Sequence, residues 1–417
     1  MTRCFINGTI RTLDPKQPLA EAVAVEGNRI SFVGRSDDAR VRAGARAEII
    51  DLEGATMLPG FIDNHTHLIG GGRHLQGIDL RPCRSKEEFI RTLGEYTAAH
   101  RGSWITDGDW DHEAWRPAQL PRRDWIDPVT PDTPVFVQRF DGHMALANSA
   151  ALRMAGITTS TPDPDGGTID RDPAGGEPTG IVRDLAMNLV AAVVPRPSPQ
   201  EIERAALTAF DHARKKGLTS VHDISLPEHY EVYEKLDREN RLTCRLYCRL
   251  PIEGHRALAE QGVLYATGSE FLVRGSLKAF SDGSLGSDTA WFFDPYVSNP
   301  STCGLPMEVL SSGKLRAWAL EADRNRLQLS IHAIGDRANA AVLEIFEEIV
   351  RVNPPWDRRF RIEHAQHVRP EDVLRFARLG GPILRPPWPP TPRRAGTSRG
   401  GPLWSACRRA CRPPVHP

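Results

Sequence analysis

His65 and His67 stand two residues apart at the end of Leu58-Pro-Gly-Phe-Ile-Asp-Asn-His-Thr-His-Leu68. Residues i and i+2 of a β-strand project from one face, so these two imidazoles can hold one metal ion together. Two histidines satisfied within a core would show the same spacing, and the pair alone does not separate the two readings. His332 follows the apolar run Gln328-Leu-Ser-Ile and precedes a helical pattern; His364 ends Phe360-Arg-Ile-Glu in the same design one unit later. For each, an imidazole capping a strand end is the plainer alternative. Lys278 lies in Leu277-Lys-Ala-Phe-Ser-Asp-Gly283, where a snorkelling lysine or one paired with Asp282 would look the same.

Such side chains meet only if strand ends are brought together. From Gly60 onward, apolar strands alternate with amphipathic helices, as in a β/α architecture. The expected strands lie at 104–106, 134–137, 218–222, 244–247, 275–280, 328–332 and 360–364, with helices over 199–216 and 338–352. Several strands end in His, Lys or Asp, and the C-terminal strand ends of a (β/α)8 barrel build its active site. Residues 1–57 alternate short strands with Asn/Gly turns and read as an all-β portion of a small sandwich. Residues 80–190 are too long for a simple connection and form an insertion of the kind that covers a site. From Gly381 the chain turns Pro/Arg-rich without a single Asp or Glu up to Pro417, and reads as disordered.

Composition narrows the partners. Lysine plus arginine equals aspartate plus glutamate at 53 each, so no global field favours nucleic acid or an anionic membrane surface. The expected partner is a small molecule, with a homo-oligomer left open. The N-terminus lacks the apolar core of a signal peptide, and the default location is cytoplasmic. Seven scattered cysteines argue against a disulfide framework.

Pro59-Gly-Phe-Ile-Asp-Asn-His-Thr-His67 resembles the metal-binding strand that opens the barrel of the amidohydrolase superfamily. Gly108-Asp-Trp-Asp111, Asp141-Gly-His143, Asn148 to Leu152, Pro178-Thr-Gly180 and Lys278-Ala-Phe-Ser-Asp-Gly-Ser-Leu-Gly286 follow in the order seen in amidohydrolase family 3, the YtcJ-like branch. The resemblance covers residues 1 to about 380. It implies an α/β fold: a TIM-like (β/α)8 barrel over 58–380, with a small N-terminal β-sandwich portion that returning C-terminal strands complete.

The resemblance also implies a function, hydrolysis of non-peptide carbon–nitrogen bonds in a small amide or N-formyl compound by metal-activated water. His65, His67, His332 and His364 correspond to ligands of one or two divalent ions, zinc being expected, and Lys278 to a lysine that bridges two metals when carboxylated. The substrate-side candidates are His143 and Asp282 from the resemblance and, from the residues themselves, His222 at a strand end and Trp110 as a pocket wall, a tryptophan that core packing would explain equally well. The family's general base is an aspartate on the eighth barrel strand, in a Gly-Ser-Asp-x-Pro-like segment that this chain lacks. The expectation is therefore a barrel incomplete at its C-terminal end, from a truncated or frameshifted reading frame, whose catalytic base is unknown; a remnant that keeps its ligands without turnover is the alternative, and a non-enzymatic binding protein on the same scaffold is a weaker one.

Overall fold

The computed structural model describes residues 2–100, 102–140, 142–164, 167–285, 287–297 and 299–379; the Pro/Arg-rich stretch 381–417, expected to be disordered, lies outside them. The chain divides into two compact units, Met1–Asp63 with Ala213–Ser220, and Asn64–His212 with the residues from Val221 onward.

In the first unit a four-stranded sheet runs in the order Arg29–Gly34, Ala22–Glu26, Thr2–Ile6, Glu48–Asp51, beside a three-stranded sheet of Leu19–Ala20, Thr9–Arg11 and Thr56–Met57. Alternation along Thr2–Ile6 turns Cys4 and Ile6 onto Ala22, Ala24 and Ala39. Asn7 carries the chain out of that strand at φ 54°, a left-handed conformation that asparagine tolerates. An all-β reading misses the helix Ser36–Ala43, whose first turn holds Asp37 and Asp38 and whose last turn holds Arg40 and Arg42, in the sense that the helix dipole favours.

The second unit is built on six strands: β1 (Phe61–Thr66), β2 (Leu218–Ile224), β3 (Arg245–Pro251), β4 (Leu272–Phe280), β5 (Gln328–Ala333) and β6 (Arg361–His364), of which β1 and β2 straddle the division between the units. They neighbour one another in chain order, and the ladders β3–β4, β4–β5 and β5–β6 are parallel. Helices intervene, among them Pro227–Arg238, Lys314–Arg324 and Asp336–Val352. This is a TIM-like arrangement. All six residues of β5 are buried, because helices cover one face and the lumen closes on the other, so the strand reads without alternation. Leu329, Ile331 and Ile362 pack against Val342, Phe346 and Ile349 of the covering helix, each burial contributing about 1.5–3 kcal/mol. The sheet curls until its end strands meet: Asn64 and His65 of β1 touch Arg361 and Glu363 of β6.

Between β1 and β2 lies a separate six-stranded sheet, in the order Gly167–Arg171, Pro178–Asp184, Met144–Ala147, Val135–Arg139, Ile105–Trp110, Ile78–Asp79. The strands expected near 104 and 134 belong to this sheet and not to the barrel. It carries its own core, in which Trp110 is fully buried and donates from Nε1 to the Val137 carbonyl at 2.8 Å. Trp110 is thus a packing residue here, which differs from the pocket wall expected of it. Trp110 shares that core with Leu80 and Leu146, both wholly buried in the same cluster.

Candidate metal centre

The histidines at the C-terminal strand ends come together. The ring centroid of His364 lies 4.7 Å from that of His65 and 4.7 Å from that of His332, while His67 is 5.8 Å from His65. Register puts both residues at the same end of the sheet, His332 opposite Glu363 and Ala333 opposite His364; strand alternation alone would turn the two rings to different faces, and the positive φ of His364 breaks that alternation. His364 and Ala365 both hold left-handed backbone, at φ 70° and 41°, an unusual pair of non-glycine residues and a sign of a constrained site. His332 places Nε2 at 2.9 Å from the Gly283 carbonyl. A carbonyl only accepts, so Nε2 is the donor there, with Asp282 Oδ1 a second acceptor 3.3 Å away.

Lys278 stands beside them, 3% exposed, with no hydrogen-bond partner for Nζ among the described residues and with the Phe280 ring centroid 4.3 Å away. Burial pushes its pKa down to about 7, against the opposing charge of Glu363 and with the help of Arg249 and Arg361. Burial, then His332 and His65, push His364 down to about 3. Burial and the neighbouring His65 also lower His67. These imidazoles are neutral near pH 7, the form in which histidine binds a cation.

Beneath the rings is a buried ionic cluster. Glu363, 2% exposed, lies 2.5 Å from His65 Nδ1, accepts from Ser330 Oγ at 2.5 Å and is contacted by the guanidiniums of Arg249 and Arg361. Burial alone would raise its pKa, yet the His65 bond and the two arginines hold it well below the usual carboxylate range. Arg249 also donates to the carbonyls of Asn64 at 3.1 Å and His222 at 2.8 Å. Arg361 donates to the Asn64 carbonyl and lies 2.9 Å from His222 Nδ1. His222 is thereby tied to the cluster and stacks on Tyr247 with centroids 4.6 Å apart.

Two carboxylates shape the loops. Asp223 accepts from the Leu68 amide at 2.7 Å, Ser225 Oγ at 2.6 Å and Tyr233 at 3.0 Å, fixing the start of the helix that follows His67. That helix approaches Pro199–Lys215 so closely that a Cβ on Gly72 would lie 2.0 Å from the Ala205 carbonyl oxygen. Asp282 is wholly buried and accepts from the amides of Trp291 at 2.9 Å, Ile334 at 3.0 Å and Gly335 at 2.8 Å. Its oxygens take three backbone amides, and Oδ1 also lies 3.3 Å from His332 Nε2, so it organises the loops after β4 and β5 where a substrate contact was expected. Asp282→Ala would strand three buried donors and should lower stability by about 3 kcal/mol, with Asp282→Asn losing less; urea denaturation measures both.

His143 lies away from this group, in the inserted sheet region, with Nδ1 2.9 Å from Asp184. A cleft of about 410 Å³ reaches Lys278 and Arg249 and is lined as well by Leu226, Ile252, Phe280 and Met307, with none of the four histidines among its lining residues. Sequence reasoning singled out neither Glu363 nor Arg249 nor Arg361. The available signal was charge inside apolar strands: Arg361 and Glu363 share a face at i, i+2, and Arg249 interrupts Leu246 to Leu250.

Among the described residues no three His, Cys, Asp or Glu side chains already close on one point as an ion-holding group. The donor set nevertheless fits one: three imidazoles with successive ring centroids 4.7 Å apart and a buried amine without a partner among the described residues.

The sequence profile of the amidohydrolase family matches residues 48–389. The chain is 39% identical to the protein LONG AFTER FAR-RED 3 of Arabidopsis thaliana over 89% of its own length and 66% of that protein's, just under two thirds. It is 34% identical to YtcJ of Bacillus subtilis, over 91% of this chain and 72% of the relative, and 27% identical to the N-substituted formamide deformylase of Arthrobacter pascens, over 92% and 72%. The fold superimposes on the crystal structure of an uncharacterized metal-dependent hydrolase from Pyrococcus furiosus with a TM-score of 0.76 at 29% identity, covering 92% of this chain and 76% of that one.

Proposed function

The chain belongs to the amidohydrolase family, and from that premise we propose a metal-dependent hydrolase of non-peptide carbon–nitrogen bonds acting on a small amide or N-formyl compound. The observation that carries the reading is the approach of His65, His364 and His332, 4.7 Å between successive ring centroids, at a mouth that also holds the unpartnered amine of Lys278. Family membership implies a divalent cation, and nitrogen donors favour zinc. His65, His67, His332 and His364 would hold it, with Lys278 as a bridging ligand if carboxylated. A bound cation of this kind supplies a polarised carbonyl and a water whose pKa falls to ~7.

The chain's own residues do the rest. Leu226, Ile252, Phe280 and Met307 give the cleft an apolar wall that receives the substituent on nitrogen. Asp282 holds the loops that frame it. Arg361, beside His222 Nδ1, holds that ring at the base of the site. We read the six strands found among the described residues as part of a (β/α)8 barrel, the first unit's sheets as part of a composite sandwich, and the location as cytoplasmic, with a small molecule as partner.

A second reading has its own observation: residues 381–417 contain no Asp or Glu to serve as the expected general base. In that case the chain binds metal without turnover. The test is metal content per chain together with hydrolysis of simple amides and N-formyl amines, for this chain and for a version with the downstream frame restored after Gly380. Metal with turnover in both supports the hydrolase reading outright; metal in both with turnover only in the restored version supports the second; metal in neither defeats both.

A further inference from the structure

We infer that Glu363 is a positioning residue whose carboxylate accepts the Nδ1 hydrogen of His65 and so selects the tautomer in which Nε2 is the nitrogen that meets a cation. The inference rests on the metal reading of the mouth. Its geometry is the 2.5 Å contact between His65 Nδ1 and Glu363 Oε2, made where the end strands β1 and β6 meet.

An ordinary buried ion cluster would place charges together without choosing a tautomer. Here the choice is forced by donor count. Arg249, Arg361 and the Ser330 hydroxyl all give hydrogens to the same carboxylate, and the carboxylate has none to return. An imidazole nitrogen facing an acceptor must carry the hydrogen, so in the neutral ring, the form that binds a cation, the other nitrogen is the unprotonated one. The two guanidiniums also fix where the ring starts. Both donate to the carbonyl of Asn64, the residue before His65, so one pair of cations orients the carboxylate and the peptide that it must serve. Carboxylates bonded to the outer nitrogen of a ligand histidine set ring orientation in this way and are worth about 10- to 100-fold in metal affinity.

Glutamine at 363 would preserve shape but not the acceptor set. Every neighbour of the carboxylate is a donor, so the amide nitrogen must oppose one of them. If it faces His65, the ring must accept at Nδ1 and place its hydrogen on Nε2.

The test reads the ring directly. In metal-free protein with 15N-labelled histidine, the His65 signals, assigned by their loss in His65→Asn, should show a protonated Nδ1 and an unprotonated Nε2. Glu363→Gln should reverse that pattern and weaken zinc binding about 10- to 100-fold in competition with a chelator. A wild-type ring protonated on Nε2 overturns the inference, and so does Glu363→Gln with zinc affinity within twofold of wild type. If Glu363→Gln does not fold, the wild-type spectrum decides alone. Nδ1 protonated in a wild-type chain that binds no zinc would defeat the metal reading while upholding Glu363's hold on His65.

Discussion

Between pH 7 and 9 the metal-free protein should gain about 2 kcal/mol of folding stability more than its Lys278→Met variant does. Burial pushes the Lys278 pKa from the ordinary 10.5 to about 7, so across this window the unfolded chain holds a proton that the folded chain has released. Stability then rises with pH by about 1.4 kcal/mol per unit, and the contribution is lost as pH falls toward 7 and the amine is charged in a site 3% exposed. The difference between the two proteins is the quantity to measure. Above pH 9 the buried thiol of Cys244, pushed up to about 11, and Tyr230, pushed up to about 12, act in the opposite sense, because the unfolded chain loses those protons first. That opposing effect is common to both proteins and cancels. Urea midpoints in carbon-dioxide-depleted buffer at four pH values settle it: parallel curves would mean that Nζ has a partner or solvent access in solution. Lys278→Met should also be the more stable protein at pH 7, since it exchanges a buried amine for a thioether of similar length.

His364→Asn should have the largest effect on the centre itself. Its ring is the one that neighbours both His65 and His332, so its loss separates the remaining imidazoles instead of trimming an edge. Zinc should no longer co-purify, and any turnover should fall by about 1,000-fold or more, a larger loss than removal of an outer carboxylate. Asparagine accepts the left-handed backbone at this position, so circular dichroism and the melting temperature should stay near wild type. His143→Asn is the matched control. That histidine contacts Asp184 in the inserted region, and its replacement should leave metal content unchanged. Metal retained in His364→Asn would mean that the other histidines and Lys278 suffice.

Much of this was legible in the chain. His65 and His67 announce themselves by i, i+2 spacing after an apolar run, and His332 and His364 by ending strands, because a parallel strand buried on both faces is a nearly unbroken apolar word with its chemistry at the last letter. What stayed hidden depends on distance along the sequence. Arg249 and Glu363 are 114 residues apart and meet only because the sheet curls. Trp110 has the composition of a pocket wall, and only the inserted sheet's own core shows that the ring is consumed in packing. Asp282 sits in a glycine-rich loop that looks like a substrate contact. Its three backbone donors come from loops at 291 and 334–335, which no local pattern connects to it. The helix Ser36–Ala43 was missed because only Ser36 and Ala39 are buried, so no apolar stripe marks it.

The paired left-handed residues at 364 and 365 bear on how the protein can be improved. Alanine in that conformation costs about 1 kcal/mol. A laboratory selection that rewards heat resistance alone will therefore favour glycine at 365, and each such gain slackens the joint that aims the neighbouring imidazole. Durability and aim pull on the same peptide, and an engineering campaign that scores only the first will discard the second.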